Sequence, residues 1–167
     1  MNAYLSAVNQ KLFHVSLLCR QMEQGRDNRH LQRVLAESAV YQLVQAYRHH
    51  LREIAANYQC PDPQALSDVD TLTRALMDRE KWPAEAQEMK NLEQDDQSWL
   101  NQLLRTLDGF DRVDERESAM EQDDRIPLAP VTDSGNELPA LDEDQVGRWL
   151  ESLRELVERH RSVMFEC

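Results

Sequence analysis

Glycine is scarce in this chain, 4 of 167 residues, and the six prolines are spaced so that long stretches contain neither. Without those breakers, helix is the default conformation before any periodicity is consulted. Cysteine is equally sparse. Cys19, Cys60 and Cys167 are too few and too scattered for a disulfide framework, and they form no pattern at zinc spacing. Such usage points to a reducing compartment, and a chain of this length buries enough surface to fold without staples. No run approaches the roughly 18 apolar residues of a membrane span. Asn2, Asn9, Gln10 and Lys11 interrupt anything resembling a secretory h-region. Basic residues are also outnumbered, 19 Lys+Arg against 31 Asp+Glu, for a net charge of −12. General duplex DNA binding is disfavoured, because phosphate neutralisation needs a basic face. These absences leave an acidic, cytoplasmic protein of one domain over residues 1–167, with no membrane partner.

The charge is unevenly placed. Residues 1–60 hold 7 basic and 4 acidic side chains, whereas residues 111–144 hold 3 and 12. The acidic stretch also carries Pro127, Pro130, Pro139 and Gly135 and almost no aromatics, so it buries too little apolar surface to offset its ordering entropy. A flexible acidic loop is expected over 111–141, lying within the domain because a strong helical pattern follows it. Shortening 115–134 to a Gly/Ser linker should change stability little, with Ile126, Leu128 and Val131 as anchors if the loop docks.

Helical periodicity fills most of the rest. Leu5, Val8, Leu12, Val15, Cys19 and Met22 make a heptad seam that Gly25 ends, and Phe13 with Leu17 forms a second apolar pair away from it. Asn28 is the candidate cap of a second helix running to about Tyr58, with Val40, Leu43, Val44, Tyr47, Leu51 and Ile54 on one stripe. The short turn between them predicts an antiparallel hairpin. Cys60-Pro61-Asp62-Pro63 ends it. Two shorter helices follow, one with a box-like Ser67/Asp70 start and one with Pro83 at its first turn. Asp95 or Asp96 is expected to cap a fifth helix bearing Trp99, Leu100, Leu103, Leu104, Leu107 and Phe110. Asp142 with Gln145 opens the last, which carries Val146, Trp149, Leu150, Leu153, Leu156, Val157 and His160. No long period-2 alternation occurs, so the fold class is all-α: a bundle of four long helices, two short helices as a lid or side layer, and the acidic loop. One antiparallel partner covers a single stripe of about 100°, so something else must cover Phe13 and Leu17. The expected cover is a later helix, which would make the first helix central. The alternative is an exposed patch where two copies meet.

Asn9-Gln10-Lys11-Leu12-Phe13 on the first helix, with Ser98-Trp99-Leu100 and Leu103-Leu104 on the fifth, resembles a proteobacterial family of small all-helical proteins catalogued as a domain of unknown function. The resemblance covers most of the chain in order. It implies an all-helical fold and brings no activity, cofactor or catalytic position with it.

Chemistry-bearing constellations are few. Di-iron bundles need Glu-x-x-His pairs, and none of the five histidines has Glu three before it; Asp27-x-x-His30 falls at a turn. Adjacent His49 and His50 diverge by about 100° on a helix and cannot chelate one ion, and His49 reads as a solvated residue near Glu53. No Gly-rich phosphate loop, nucleophile elbow or His-Glu-x-x-His run is present. Neither metal nor cofactor is therefore expected. Arg154 and His160 on the last helix resemble the spaced Arg and His of HEPN ribonucleases. That resemblance implies acid/base work for His160, phosphate binding for Arg154, a symmetric dimer and an RNA partner. The competing reading makes Arg154 part of an ion-pair ladder with Glu151 and Glu158, and His160 a hydrogen-bonded core histidine. Arg26, Arg29, His30 and Arg33 cluster at the hairpin turn, and Arg48 and Arg52 stack further along. The preferred reading is a non-enzymatic protein that acts through protein contacts, with an unidentified partner or a second copy. Its candidate surface is Phe13, Leu17, Arg26, Arg29 and Arg33; the ribonuclease-like or RNA-associated bundle is the alternative.

Overall fold

In a computed structural model, residues 3–111 and 138–165 are described. Residues 112–137 of the expected acidic loop, with Ile126, Leu128 and Val131, and also Cys167, lie outside them. The described chain forms α1 (Ala3–Gln24), α2 (Arg29–Asn57), a 3-10 turn (Pro63–Ala65), α3 (Val69–Met77), α4 (Ala84–Gln94), α5 (Trp99–Phe110) and α6 (Glu143–Phe165). No strand occurs among the described residues, and no helix there is long and apolar enough to cross a membrane.

Local chemistry sets the boundaries. The Leu31 amide donates to Asn28 Oδ1 at 3.0 Å, capping α2 as expected. Gly25 ends α1 without entering the left-handed region; it is needed for space, because a Cβ there would meet Leu31 Cδ2 at 3.1 Å and the Gln21 carbonyl at 3.3 Å. The capping box of α3 is Asp68 with Thr71, not Ser67 with Asp70: the Thr71 amide donates to Asp68 Oδ1 at 2.8 Å. Pro83 is the N-cap of α4, one position before the first turn. Ser98 caps α5 in place of Asp95 or Asp96, its hydroxyl accepting from the Asn101 amide at 3.0 Å. Asp95 is occupied in the preceding turn, where its carboxylate accepts from the Gln97 amide at 2.9 Å. At α6 the Gln145 amide donates to Asp142 at 2.8 Å, as the sequence pattern anticipates.

The central helix is α2, not α1. Helix α2 touches α1, α3, α4, α5 and α6 and buries residues on all but an outer stripe, whereas α1 packs mainly on α2 and α6. Phe13 is 56% and Leu17 40% exposed, so no later helix among the described residues covers them. Alanine explains the exchange of roles: Ala36, Ala39, Ala46 and Ala55 are fully or almost fully buried on α2 and let neighbours approach from several sides at once. The α1 seam survives as expected, with Val8, Leu12, Val15 and Met22 buried against the hairpin. Leu72 and Leu76 of α3 and Met89 of α4 are buried with Leu100, Leu103, Trp149 and Leu153. The two short helices are thus part of the core, each such side chain contributing about 1.5–3 kcal/mol by leaving water.

Candidate functional site

Helix α2 is apolar on its inner face except at Tyr47, His50 and Glu53, with Tyr58 at its C-terminal end. A polar side chain so placed must find partners or cost the desolvation of its group. Helix α4 supplies them, because Glu85, Glu88 and Glu93 project toward the same seam. Tyr47 Oη donates to Glu93, and Tyr58 Oη donates to Glu85 Oε1 at 3.2 Å. Between these two bonds α6 inserts His160.

The centre is a series of four groups. His50 Nδ1 faces Glu53 Oε2 at 3.2 Å, His50 Nε2 faces His160 Nδ1 at 2.9 Å, and His160 Nε2 faces Glu88 Oε2 at 3.0 Å. The imidazole planes lie 23° apart with centroids at 5.2 Å, the near-coplanar, edge-to-edge arrangement that the nitrogen–nitrogen contact requires. His50 is 0%, His160 2% and Glu53 3% exposed. An arginine closes each end. Arg161 donates to Glu53 through Nε at 2.7 Å and Nη2 at 3.0 Å, and through Nη1 to Asn9 of α1 at 2.8 Å. Arg159 donates to Glu88 Oε1 at 2.5 Å. Burial pushes the Glu53 carboxyl up, but hydrogen bonds from His50 and Arg161 and their positive charge outweigh it and leave it below the ordinary carboxylate value. Glu88 ends below its usual value in the same way: burial opposes, and Arg159 and His160 prevail. His160 is pushed down chiefly by burial, against the hydrogen bond to Glu88. Among the described residues no group of three or more His, Cys, Asp or Glu side chains is arranged to hold a metal ion.

His160 therefore has both ring nitrogens engaged in the interior. Arg154 lies on another face of α6, donating to Ser16 Oγ of α1 at 2.5 Å and to Glu151 at 3.5 Å. The two residues are not brought together, and their hydrogen bonds go to different partners. His49 does not meet Glu53, which belongs to His50; His49 Nδ1 is buried with no hydrogen-bond partner. The reason is geometric: Glu53 lies toward the core, and His50 rather than His49 shares that direction. Asp27 and His30 stay exposed at the hairpin turn. Arg26 reaches across 117 positions to Glu143, with both contacts at 3.3 Å, and so ties the turn to the start of α6. Arg29 is exposed, Arg33 pairs with Glu37 at 2.9 Å, and Arg52 donates to the Leu66 carbonyl at 3.0 Å. Glu53, Glu88, Arg159 and Arg161 are absent from the sequence-based candidates. His50-x-x-Glu53 was the available signal, in the reverse order to the metal template.

The fold and this site define an all-helical bundle closed around a buried, charge-compensated histidine pair. The chain belongs to the family of unknown function DUF6586, whose family model matches residues 1–167. No curated protein and no solved structure matches it.

Proposed function

We propose that the protein is a non-enzymatic helical scaffold that docks another protein, one with an acidic surface, on the outer face of its α1/α2 hairpin. The supporting observation is the exposure of large apolar side chains on this hairpin: Phe13 and Leu17 on α1, Leu31 and Val34 on α2. Leu17 borders a shallow groove between the two helices together with His14, Leu18, Ser38 and Gln42. Phe13 borders the adjoining groove between α1 and α6, beside Leu12 and Val157. Single exposed apolar residues are ordinary, but several on one hairpin suit a partner surface. Charge selects the kind of partner. The first 60 residues carry 7 basic and 4 acidic side chains, and one of those acids, Glu53, is buried. Two like-charged hairpins meet less favourably than a hairpin and an acidic surface.

The residues offer little to catalysis. Burial pushes the Cys19 and Cys60 thiols up, away from nucleophile activation. Both are free thiols, which suits the reducing cytoplasm as the place of action. The ribonuclease alternative would need an accessible imidazole, and His160 is buried with both nitrogens bonded.

A photo-crosslinking residue introduced at position 13 or 17 in living cells tests the reading, with Met77, exposed elsewhere, as the control position. The expected result is one acidic protein adduct at 13 and 17 and none at 77. That protein, purified, should bind the full chain with affinity that falls with salt and is lost in Phe13→Glu. Adducts containing only a second copy, or none at all, would overturn the proposal.

A further inference from the structure

Three hydrogen bonds join Glu53, His50, His160 and Glu88 in series, and each bond needs one proton. Arg161 and Arg159 keep the end carboxylates in their ionised form, so the outer bonds are filled by N–H at His50 Nδ1 and at His160 Nε2. Two neutral imidazoles carry only those two protons. The inner pair would then set two lone pairs against each other at 2.9 Å. Two imidazolium ions would set two N–H groups head to head at the same distance. Three protons alone give every bridge one donor and one acceptor.

We propose that His50 and His160 form a single-proton binding site, a shared imidazole–imidazolium bridge that holds one proton beyond the neutral pair and pins α2, α4 and α6 together. The charged groups facing it balance that proton. From α2 comes Glu53, from α4 Glu88 and Glu85, and from α6 Arg159 and Arg161; α1 offers only the Asn9 amide and the Leu5 carbonyl, both on Arg161. The two arginines offset Glu53 and Glu88, and the Glu85 carboxyl, 3% exposed and acting on His160, is left as the counter-charge. Burial of His160 works against that proton, and the donor–acceptor pairing at the inner bridge works for it.

Linkage makes this testable. Unfolded, the two histidines titrate near pH 6.5. Above that pH the folded chain holds about one proton more than the unfolded chain, so stability falls as pH rises until the pair releases it. Replacing His160 by Gln keeps a donor and an acceptor at the position without a titrating group. The ratio of wild-type to His160→Gln folding constants is expected to fall by about tenfold per pH unit above roughly pH 6.5, and to be flat on the acid side. Two neutral imidazoles without the shared proton would give the opposite: a flat ratio above that pH and a loss below it, which overturns the proposal. Should His160→Gln fail to fold, imidazole nitrogen NMR of the wild-type chain decides alone. At pH 7, His50 Nε2 and His160 Nδ1 should show shifts between the protonated and unprotonated limits. Both at the unprotonated limit, or both at the protonated one, would sink the shared bridge.

Discussion

Glu53 illustrates how far one side chain's role depends on what surrounds it. It is 3% exposed, yet it stays charged because His50 and Arg161 surround its two oxygens. Glu53→Leu is therefore expected to destabilise the chain by about 3–5 kcal/mol, since it leaves Arg161 without its counter-charge and His50 Nδ1 without its acceptor inside the protein. Urea unfolding at neutral pH measures it. Acid supplies the companion test. The folded carboxyl sits below its ordinary value, so its contribution is complete above the unfolded carboxyl value of about 4.3 and is lost as pH falls through the folded one. Wild-type stability should drop on acidification through that window more steeply than that of Glu53→Leu. None of this was legible from the residues singly. His50 and His160 stand 110 positions apart, and only the packing of α6 against α2 and α4 brings them together.

At the scale of the helices, periodicity placed the elements and misplaced some of their ends. Large apolar residues mark stripes clearly, as the α1 seam and the wide face of α5 show. Caps are harder, because Asp95, Asp96 and Ser98 all carry suitable oxygens and only the course of the turn decides that Asp95 serves the Gln97 amide while Ser98 serves α5. The rank of α1 and α2 was hidden for another reason: buried alanines add little to an apolar stripe but determine how closely several helices can approach. Gly147 in α6 and Gly109 in α5 test what glycine costs a helix here. A Cβ at either would meet nothing within 4 Å. Gly147→Ala and Gly109→Ala are each expected to stabilise the chain by about 0.5–1 kcal/mol, read from denaturant midpoints. Gly25→Ala lacks that open space, since the fixed Gln21 carbonyl lies 3.3 Å from the added carbon.

For the whole molecule, the exposed hairpin face separates folding from recognition. Phe13 and Leu17 lie outside the core, so Phe13→Glu with Leu17→Glu should keep the helical signal and the melting temperature close to wild type while abolishing the proposed docking. A collapse of the helical signal would mean that these side chains carry packing they do not show. The enclosure of α2 has a consequence for how the molecule opens. Every other described helix rests on it, so none of its inner amides reaches water unless several neighbours depart together. Amide hydrogens from Leu43 to Ala55 should exchange with deuterium only through global unfolding, at one common free energy, while the outer turns of α1 exchange through smaller, local openings. A labelling experiment would then resolve the chain into a slow inner rod and a faster outer layer, and the layer that opens first is the one offered to a partner.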